Sequence, residues 1–241
     1  MRIKHYFQIT ALHISLKYYI TFLTIIGMAL STAVAAQTGS DCTNPPNLVP
    51  FADLRNCDLS GRDMEAVDIS YANLTGANLD DVNLDISIAR GTIFDNATLR
   101  GTRMEDMQAS DASFVEADLR GADMYFARVH NANLSGVDFS NTWVNRIDLR
   151  GSNLQNAVFT GSMLRSMNLA NTDMRGVDLR FTRIWYGTMR NADLRNANFE
   201  GASILGTFSY MFDGATWGNT ICPDGSNSDD NDGDNFTCQN N

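Results

Sequence analysis

Few side chains in this sequence could carry out acid–base or nucleophilic chemistry. His130 is the only histidine after residue 36, and no lysine follows Lys17. A catalytic nucleophile needs a base within hydrogen-bonding reach, and the sequence suggests no such constellation. His130 is expected to be a solvated surface residue. We therefore predict that the protein is not an enzyme and has no cofactor.

The four cysteines form two pairs near the two ends of the chain. No Cys-x-x-Cys spacing occurs, so disulfide formation is favoured over coordination of a metal by thiolates. Export to an oxidising compartment, argued below, would also favour disulfides. Of the three possible connectivities, the order along the chain favours Cys42–Cys57 and Cys222–Cys238.

The segment between the last two cysteines is rich in oxygen donors. Five aspartates lie between residues 224 and 234. Such side chains can bind Ca²⁺, but Ser228 and Gln239 stand where an EF-hand would have its first and last ligands. A solvated loop closed by a disulfide is therefore favoured, with Ca²⁺ binding as the alternative. We predict no other metal site.

The elements that would position any site follow from a five-residue hydrophobic period. Of the 31 positions at this interval from Leu54 to Ile204, 29 hold a large apolar residue. A helix would scatter such a period around its axis, and a strand would alternate its faces. The chain must therefore bend after each unit and point its apolar residues at a shared axis. At the exceptions, Ala89 and Ala109, a buried Met107 would conserve core volume, which is favoured over a ligand cavity.

The residues at the bends indicate how many units complete one coil. Gly and Asn tolerate positive φ and recur at these positions. Bend residues spaced by 20 positions form one row, and these rows differ from one another in composition. This difference is expected if four units make one coil. One row is almost entirely Gly and Asn, and another has neither. These rows are Asn56, Gly76, Asn96, Glu116, Gly136, Asn156, Gly176 and Asn196, and Ala66, Ile86, Asp106, Phe126, Arg146, Ser166 and Tyr186.

Units such as Ala72-Asn73-Leu74-Thr75-Gly76 and Ala117-Asp118-Leu119-Arg120-Gly121 resemble the A-(D/N)-L-x-x motif of the pentapeptide-repeat family. The resemblance covers residues 52–206. It implies an all-β fold, a right-handed quadrilateral β-helix (a pentapeptide-repeat solenoid) of about eight coils. A solenoid must seal its ends. Residues 37–51 are therefore expected to form an N-terminal cap, and residues 207–241 a C-terminal cap with the acidic, disulfide-closed tail.

One face of this solenoid, the one whose bends lack Gly, carries aromatic and arginine residues in successive coils. Trp, Tyr and Arg are typical anchors of interaction sites, and exposed patches of this kind often mark them. The alternatives are packing against the C-terminal segment and chance use of these residues on a surface. The candidate binding residues are Tyr125, Phe126, Trp143, Arg146, Met163, Arg165, Arg183, Trp185 and Tyr186.

Residues 1–36 are predicted to be a secretory signal peptide. Basic residues precede an apolar run at residues 18–30, and small residues follow it. The run is short for a membrane span, which needs about 20 residues. We expect cleavage after Ala35 or Ala36 and an exported protein, periplasmic or secreted, that is not held at a membrane. An uncleaved anchor is the alternative.

Without residues 1–36 the chain is strongly acidic. All 28 acidic residues remain, with 18 − 3 = 15 arginines, which gives a formal charge of 15 − 28 = −13. This balance excludes a general nucleic-acid binder. The charge is also uneven, because acidic residues predominate in residues 52–111 and arginines in residues 146–195.

Two functions fit these features. The first is a non-enzymatic, exported binding or scaffold protein that uses the aromatic and arginine face for a protein partner or for self-association. The second is implied by the resemblance, since some pentapeptide-repeat proteins act as acidic mimics of duplex DNA that bind topoisomerases. The negative charge agrees with mimicry. The signal peptide does not, because gyrase is cytoplasmic.

Overall fold

The computed structural model describes residue 42, residues 48–206, residues 208–230 and residue 238. The predicted signal peptide and most of the predicted N-terminal cap lie outside these residues. Within the described ranges, no helix has both the length and the apolar character needed to cross a membrane.

Residues 52–206 form a solenoid in which each coil has four five-residue sides. Most sides pair in parallel with the same side of the next coil, 20 residues further on. This arrangement confirms the predicted all-β, quadrilateral β-helix. Coils are numbered from residue 52 in steps of 20, and sides one to four follow in chain order. The pairs that join the first two coils are Asp53–Asn73, Asp58–Asn78, Asp63–Asn83 and Asp68–Ile88.

Regular strands occur on side three of the last four coils. They form a parallel sheet in which each strand pairs with the next along the chain. Elsewhere in the solenoid, single paired residues alternate with two-residue turns. The elements of the described chain are β1 (Trp143–Asn145), β2 (Met163–Arg165), β3 (Arg183–Trp185), β4 (Ser203–Leu205), α1 (Phe208–Met211) and a 3₁₀ turn (Ser228–Asp230).

Apolar side chains fill the axis of the solenoid at the positions that the five-residue period predicts. Residues 20 positions apart occupy the same place in successive coils and lie directly above one another. Aromatic rings therefore stack in the core. Phe94 lies 4.7 Å from Phe114 between ring centroids, and Phe139 lies 4.8 Å from Phe159. All four rings are buried, and each is thus held by neighbours above and below.

At the two alanines in the period, a larger residue at the neighbouring inward position makes up the core volume. Ala89, Ala109 and Met107 are all fully buried. The long Met107 side chain therefore enters the core where the central residues are small, as the sequence predicts.

Every side of the solenoid ends at a residue with positive φ, whatever the type of that residue. Ile86 has a φ of 53°, Phe126 of 57° and Tyr186 of 54°. The row of bends without Gly or Asn therefore does not differ from the others in φ, and its difference lies in side chains alone. A left-handed backbone is unfavourable for bulky residues, so the stacked coils impose strain at these positions.

Disulfides close both ends of the repeat. Cys42 is bonded to Cys57, and Cys222 is bonded to Cys238. The predicted connectivity is confirmed. Cys57 occupies an inward position of the first coil and is almost fully buried, so its disulfide ties Cys42 to the core.

The C-terminal segment adds part of a ninth coil. The Phe199 N–H donates to the carbonyl of Ile221 at 2.8 Å, although the two residues are 22 positions apart. In the regular repeat, the acceptor lies 19 positions after the donor, as for Leu54 and Asn73. The last coil is therefore three residues longer. Phe212 is fully buried and contacts the rings of Phe199 and Trp217. This segment therefore covers the end of the hydrophobic core.

Acidic residues before the central apolar residue stabilise the tight turns. Asp118 accepts a hydrogen bond from the backbone N–H of Arg120 at 3.2 Å. Its carboxylate also pairs with the Arg120 guanidinium at 2.6 Å and with that of Arg100 at 2.5 Å. The Arg120 guanidinium, aided by Arg100, lowers the pKa of Asp118 to about 2 against the opposing effect of burial.

The substitution Asp118→Asn should destabilise the fold at neutral pH and much less in acid. A depressed pKa means that the carboxylate stabilises the fold above its unfolded pKa of about 3.9 and that this contribution is lost as pH falls through the folded value. After allowance for solvent at the arginines, we expect a difference of about 1–2 kcal/mol near about pH 6 and almost none near about pH 2. Urea unfolding at both pH values measures it. The control Asp111→Asn, at an exposed bend of side four, should change stability little, and a pH-independent loss for Asp118→Asn would contradict the argument.

Candidate interaction face

The nine candidate residues all lie on side three, in coils four to seven. Trp143, Met163 and Arg183 are register partners in adjacent strands. Arg165 and Trp185 are likewise register partners. The other four residues occupy the bends of the same side. We call the nine together the aromatic–arginine face: Tyr125, Phe126, Trp143, Arg146, Met163, Arg165, Arg183, Trp185 and Tyr186.

Several aromatic rings of this face are open to solvent. Tyr186 is 74% exposed and Trp143 is 58% exposed. Phe126 contacts Tyr125 edge-on, and the Arg146 guanidinium carbon lies 5.2 Å from the Phe126 ring centroid. This cation–π contact joins coils four and five and leaves Arg146 on the surface.

The arginines of this face differ from most others in the solenoid because no ion pair holds them within the described chain. Arg120 and Arg180 each pair with the aspartate two residues earlier, both at 2.6 Å. Within the described chain, no carboxylate forms an ion pair with the arginines of the aromatic–arginine face. These three guanidinium groups, on Arg146, Arg165 and Arg183, can therefore meet an external anion without breaking an ion pair.

Side three of these coils also differs from the other sides at the residue that precedes the central apolar position. On the other sides this is often Asp or Asn, which accepts the N–H of the following bend and closes a tight turn. Asp123 is the last such residue on side three, where it accepts from Tyr125 N at 3.1 Å. Trp143, Met163 and Arg183 follow at the same position and do not accept this bond, although Arg103 in coil three also lacks it and keeps the tight turn. The chain is extended there instead, and strands form.

The hydrogen-bond ladder of side three is interrupted where this change occurs. Between coils three and four, the Met104 N–H donates to the carbonyl of Asp123 at 2.7 Å. Between coils four and five, the described residues show no equivalent bond from Met124 to Trp143. The Gly121 N–H instead bonds to the Thr142 hydroxyl oxygen at 3.2 Å. The ladder is thus reduced on this side, where the Phe126 N–H still donates to the carbonyl of Asn145 at 3.3 Å.

A cavity of about 620 Å³ lies where this ladder is interrupted. Three members of the aromatic–arginine face, Tyr125, Trp143 and Arg165, line it. The other lining residues were not predicted from the sequence. The 20-residue spacing could have indicated some of them, because it aligns residues 105, 125, 145 and 165 in one column, and all four line the cavity. The additional lining residues are Glu105, Gly121, Ala122, Asp123, Asn141 and Asn145.

Three polar atoms near or beside this face are buried without a hydrogen-bond partner among the described residues. They are Asn145 Oδ1, Trp185 Nε1 and, on side four, His130 Nδ1. The expectation of a solvated His130 is therefore wrong in part, because the residue is half-buried. Its position lies between Ser110 and Arg150 of the adjacent coils.

The acidic tail is described only in part. Asp224 accepts a hydrogen bond from Ser226 N at 3.0 Å. Asp232 and Asp234 lie outside the described residues, and so does most of the chain between them and Cys238. The alternative of Ca²⁺ binding in residues 224–234 therefore stays a prediction.

The five-residue repeat identifies the family. The model of pentapeptide repeats matches eight copies, and the matches cover more than half of the chain: residues 51–85, 108–141, 145–180 and 176–206. The chain belongs to the pentapeptide-repeat family. No curated protein matches this pentapeptide-repeat protein at a significant level.

Solved structures of other pentapeptide-repeat proteins share the fold. A trypsin-treated form of QnrB1, a plasmid-mediated fluoroquinolone resistance protein, is 21% identical with a TM-score of 0.52, over 68% of this chain and 79% of that chain. A second trypsin-treated form is 20% identical with a TM-score of 0.51, over 68% and 78%. HetL, from the cyanobacterium Nostoc sp. strain PCC 7120 and involved in heterocyst differentiation regulation, is 21% identical with a TM-score of 0.33, over 83% and 98%. At such identities the likeness to the two QnrB1 forms is one of fold alone.

Proposed function

We propose that this pentapeptide-repeat protein is an exported, non-enzymatic binding or scaffold protein that engages a protein partner through the aromatic–arginine face. One observation carries the proposal. Arg146, Arg165 and Arg183 lie on one side of the solenoid with no ion-pair partner in the described chain, beside the exposed rings of Trp143 and Tyr186. Arginine and aromatic residues in such a cluster are the usual anchors of an interface.

The chemistry of the face indicates the chemistry of its partner. The guanidinium groups favour carboxylates, which they can bind through two parallel hydrogen bonds. The aromatic rings favour apolar side chains that become buried on contact. The partner is therefore a protein surface with acidic residues around apolar ones.

The disulfides support export. Cys42–Cys57 and Cys222–Cys238 are typical of an oxidising compartment, where structural disulfides form and persist. The signal peptide predicted at residues 1–36 would deliver the chain to such a compartment. Together these two features support a role outside the cytoplasm.

Photocross-linking from Tyr186 tests the proposal. A photoreactive phenylalanine analogue at this position should form adducts with a protein in living cells, because the residue is 74% exposed within the face. The control position is Tyr71, which is 57% exposed on side four and should give none. The double substitution Trp143→Ala/Trp185→Ala should abolish the adduct at 186. Equal adducts at 186 and 71, or an adduct that survives the double substitution, would refute the role of the face.

A second candidate is an acidic DNA mimic that binds a DNA-handling enzyme such as a topoisomerase. The observation in its favour is the charge of the first three coils, where residues 52–111 contain 12 acidic residues and five arginines. Several of these carboxylates are neutralised within the chain, as in the Asp53–Arg55 pair at 2.6 Å. Cell fractionation distinguishes the candidates, since mimicry requires the full-length chain in the cytoplasm.

A further inference from the structure

Side three is divided into two halves of opposite charge. In coils one to three it carries five carboxylates and two arginines: Arg103, which pairs with Asp85, and the half-buried Arg62, which donates to the carbonyl of Cys42. Its outward positions in coils five to seven carry three arginines and no carboxylate. The interrupted ladder and the cavity lie between the halves. The carboxylates are Asp63, Glu65, Asp85, Glu105 and Asp106.

From this division we infer that the partner of the aromatic–arginine face is a second copy of the chain, bound antiparallel along side three. The inference rests on the proposed function, since it names the partner of the same face. A two-fold axis between coils four and five would place coil three opposite coil six and coil two opposite coil seven. The contact is then isologous, and each acidic half meets an arginine half.

Charge complementarity favours this orientation over the parallel one. The antiparallel arrangement places Glu105 of one copy opposite Arg165 of the other, and repeats the pair across the axis. A parallel arrangement would place arginine opposite arginine and carboxylate opposite carboxylate, which is repulsive. Both Glu105 and Arg165 lack an ion-pair partner within the described chain, so neither must give one up.

The apolar residues of side three agree with the same pairing. Ile86 in coil two is 51% exposed, and Tyr186 in coil seven is 74% exposed. The axis sets these two residues opposite one another. It also sets Trp143 of each copy at the mouth of the cavity lined by Asp123 and Tyr125 of the other. Contact would thus remove exposed rings from water on both sides of the axis.

Charge exchange tests the pair directly. Sedimentation equilibrium of the wild-type chain should show a dimer whose dissociation constant rises with salt. Arg165→Glu and Glu105→Arg should each weaken the dimer at least about tenfold, because each creates two repulsive pairs across the axis. The combination of both substitutions in one chain should restore the wild-type affinity within about threefold. Arg128→Glu, with the same charge change on side four, is the matched control and should have no effect.

A spin label at Ala66→Cys reports the orientation. Ala66 lies in coil one. In the antiparallel dimer, coil one of the second chain lies opposite coil eight of the first, so the two labels are seven coils apart along the solenoid axis. At about 4.8 Å per coil, the two labels would be about 34 Å apart in the antiparallel dimer. A parallel dimer would give a distance of about one interface width, roughly 10 Å.

The outcomes separate the two proposals. A monomer at concentrations up to about 100 μM, a failed restoration by the double exchange, or a short label distance would overturn self-association. If the Tyr186 adduct still formed with another protein and disappeared in Trp143→Ala/Trp185→Ala, the proposed binding function would stand without it. If neither dimer nor adduct formed, both would fail.

Discussion

Replacement of Phe139 by alanine is expected to lower the free energy of unfolding by about 3–5 kcal/mol. The Phe139 ring is fully buried and stacks on Phe159 with centroids 4.8 Å apart. Truncation removes the buried surface and leaves a cavity that the coils above and below cannot fill, because their spacing is held by backbone hydrogen bonds. Denaturant unfolding followed by circular dichroism measures the loss.

Two variants make this experiment specific. Phe139→Leu should cost far less, about 1 kcal/mol, because Leu119 and Leu179 occupy the same column of the core. Phe181→Ala removes an equal side chain that is 60% exposed and should change stability by less than about 1 kcal/mol. Equal losses for Phe139→Ala and Phe181→Ala would contradict the assignment of stability to the stacked core.

Removal of the Cys42–Cys57 disulfide should give the second large effect. The bond closes a loop with a sequence separation of 15, and release of such a loop in the unfolded chain is worth about 3 kcal/mol. The variant Cys42→Ser/Cys57→Ala isolates this contribution. Alanine is native at the same inward position of the following coils, as at Ala77 and Ala97, so the core is preserved.

The loss should be local, because coils of a solenoid contact only their neighbours. Amide hydrogen exchange should accelerate at Leu54 and Asn56, whose N–H groups bond to the second coil, and remain slow at Leu194. The corresponding removal of Cys222–Cys238 is the matched control and should affect the other end. Uniform acceleration along the chain would show that the repeat unfolds as one unit and would contradict the local effect.

The five-residue period was sufficient to predict the coils, because it repeats in register over 31 positions and only one arrangement points all of them inwards. It also places Trp143, Met163 and Arg183 on one side, since a spacing of 20 residues is one full coil. The disulfide pairing followed from the order of the cysteines. These features depend on spacing alone.

The interrupted ladder could not be predicted in the same way. Met124 and Trp143 fit the period, and their separation arises from how two neighbouring coils stack. The change from Asp123 to Trp143 marks the place, but the same loss of aspartate at Ile88 and Thr98 leaves tight turns intact. The cavity residues Glu105 and Asn145 were missed for this reason. A C-terminal cap at residues 207–241 was predicted, but the path of its coil was not, because that coil departs from the 20-residue spacing.

The missing ladder bonds also bear on the mechanics of the solenoid. At the junction of coils four and five, the other three sides keep their backbone bonds, as from Phe114 to Asn133, Leu119 to Asp138 and Val129 to Asp148, each within 2.8 Å. Because side three keeps fewer backbone bonds at this junction than the other three sides, the solenoid bends most easily there. Bending there would widen or narrow the gap and would strain few bonds on this side, the Phe126–Asn145 backbone bond at 3.3 Å and the Gly121–Thr142 bond at 3.2 Å. A partner that contacts both halves of side three would span the interrupted ladder. It would thereby fix the curvature of the solenoid.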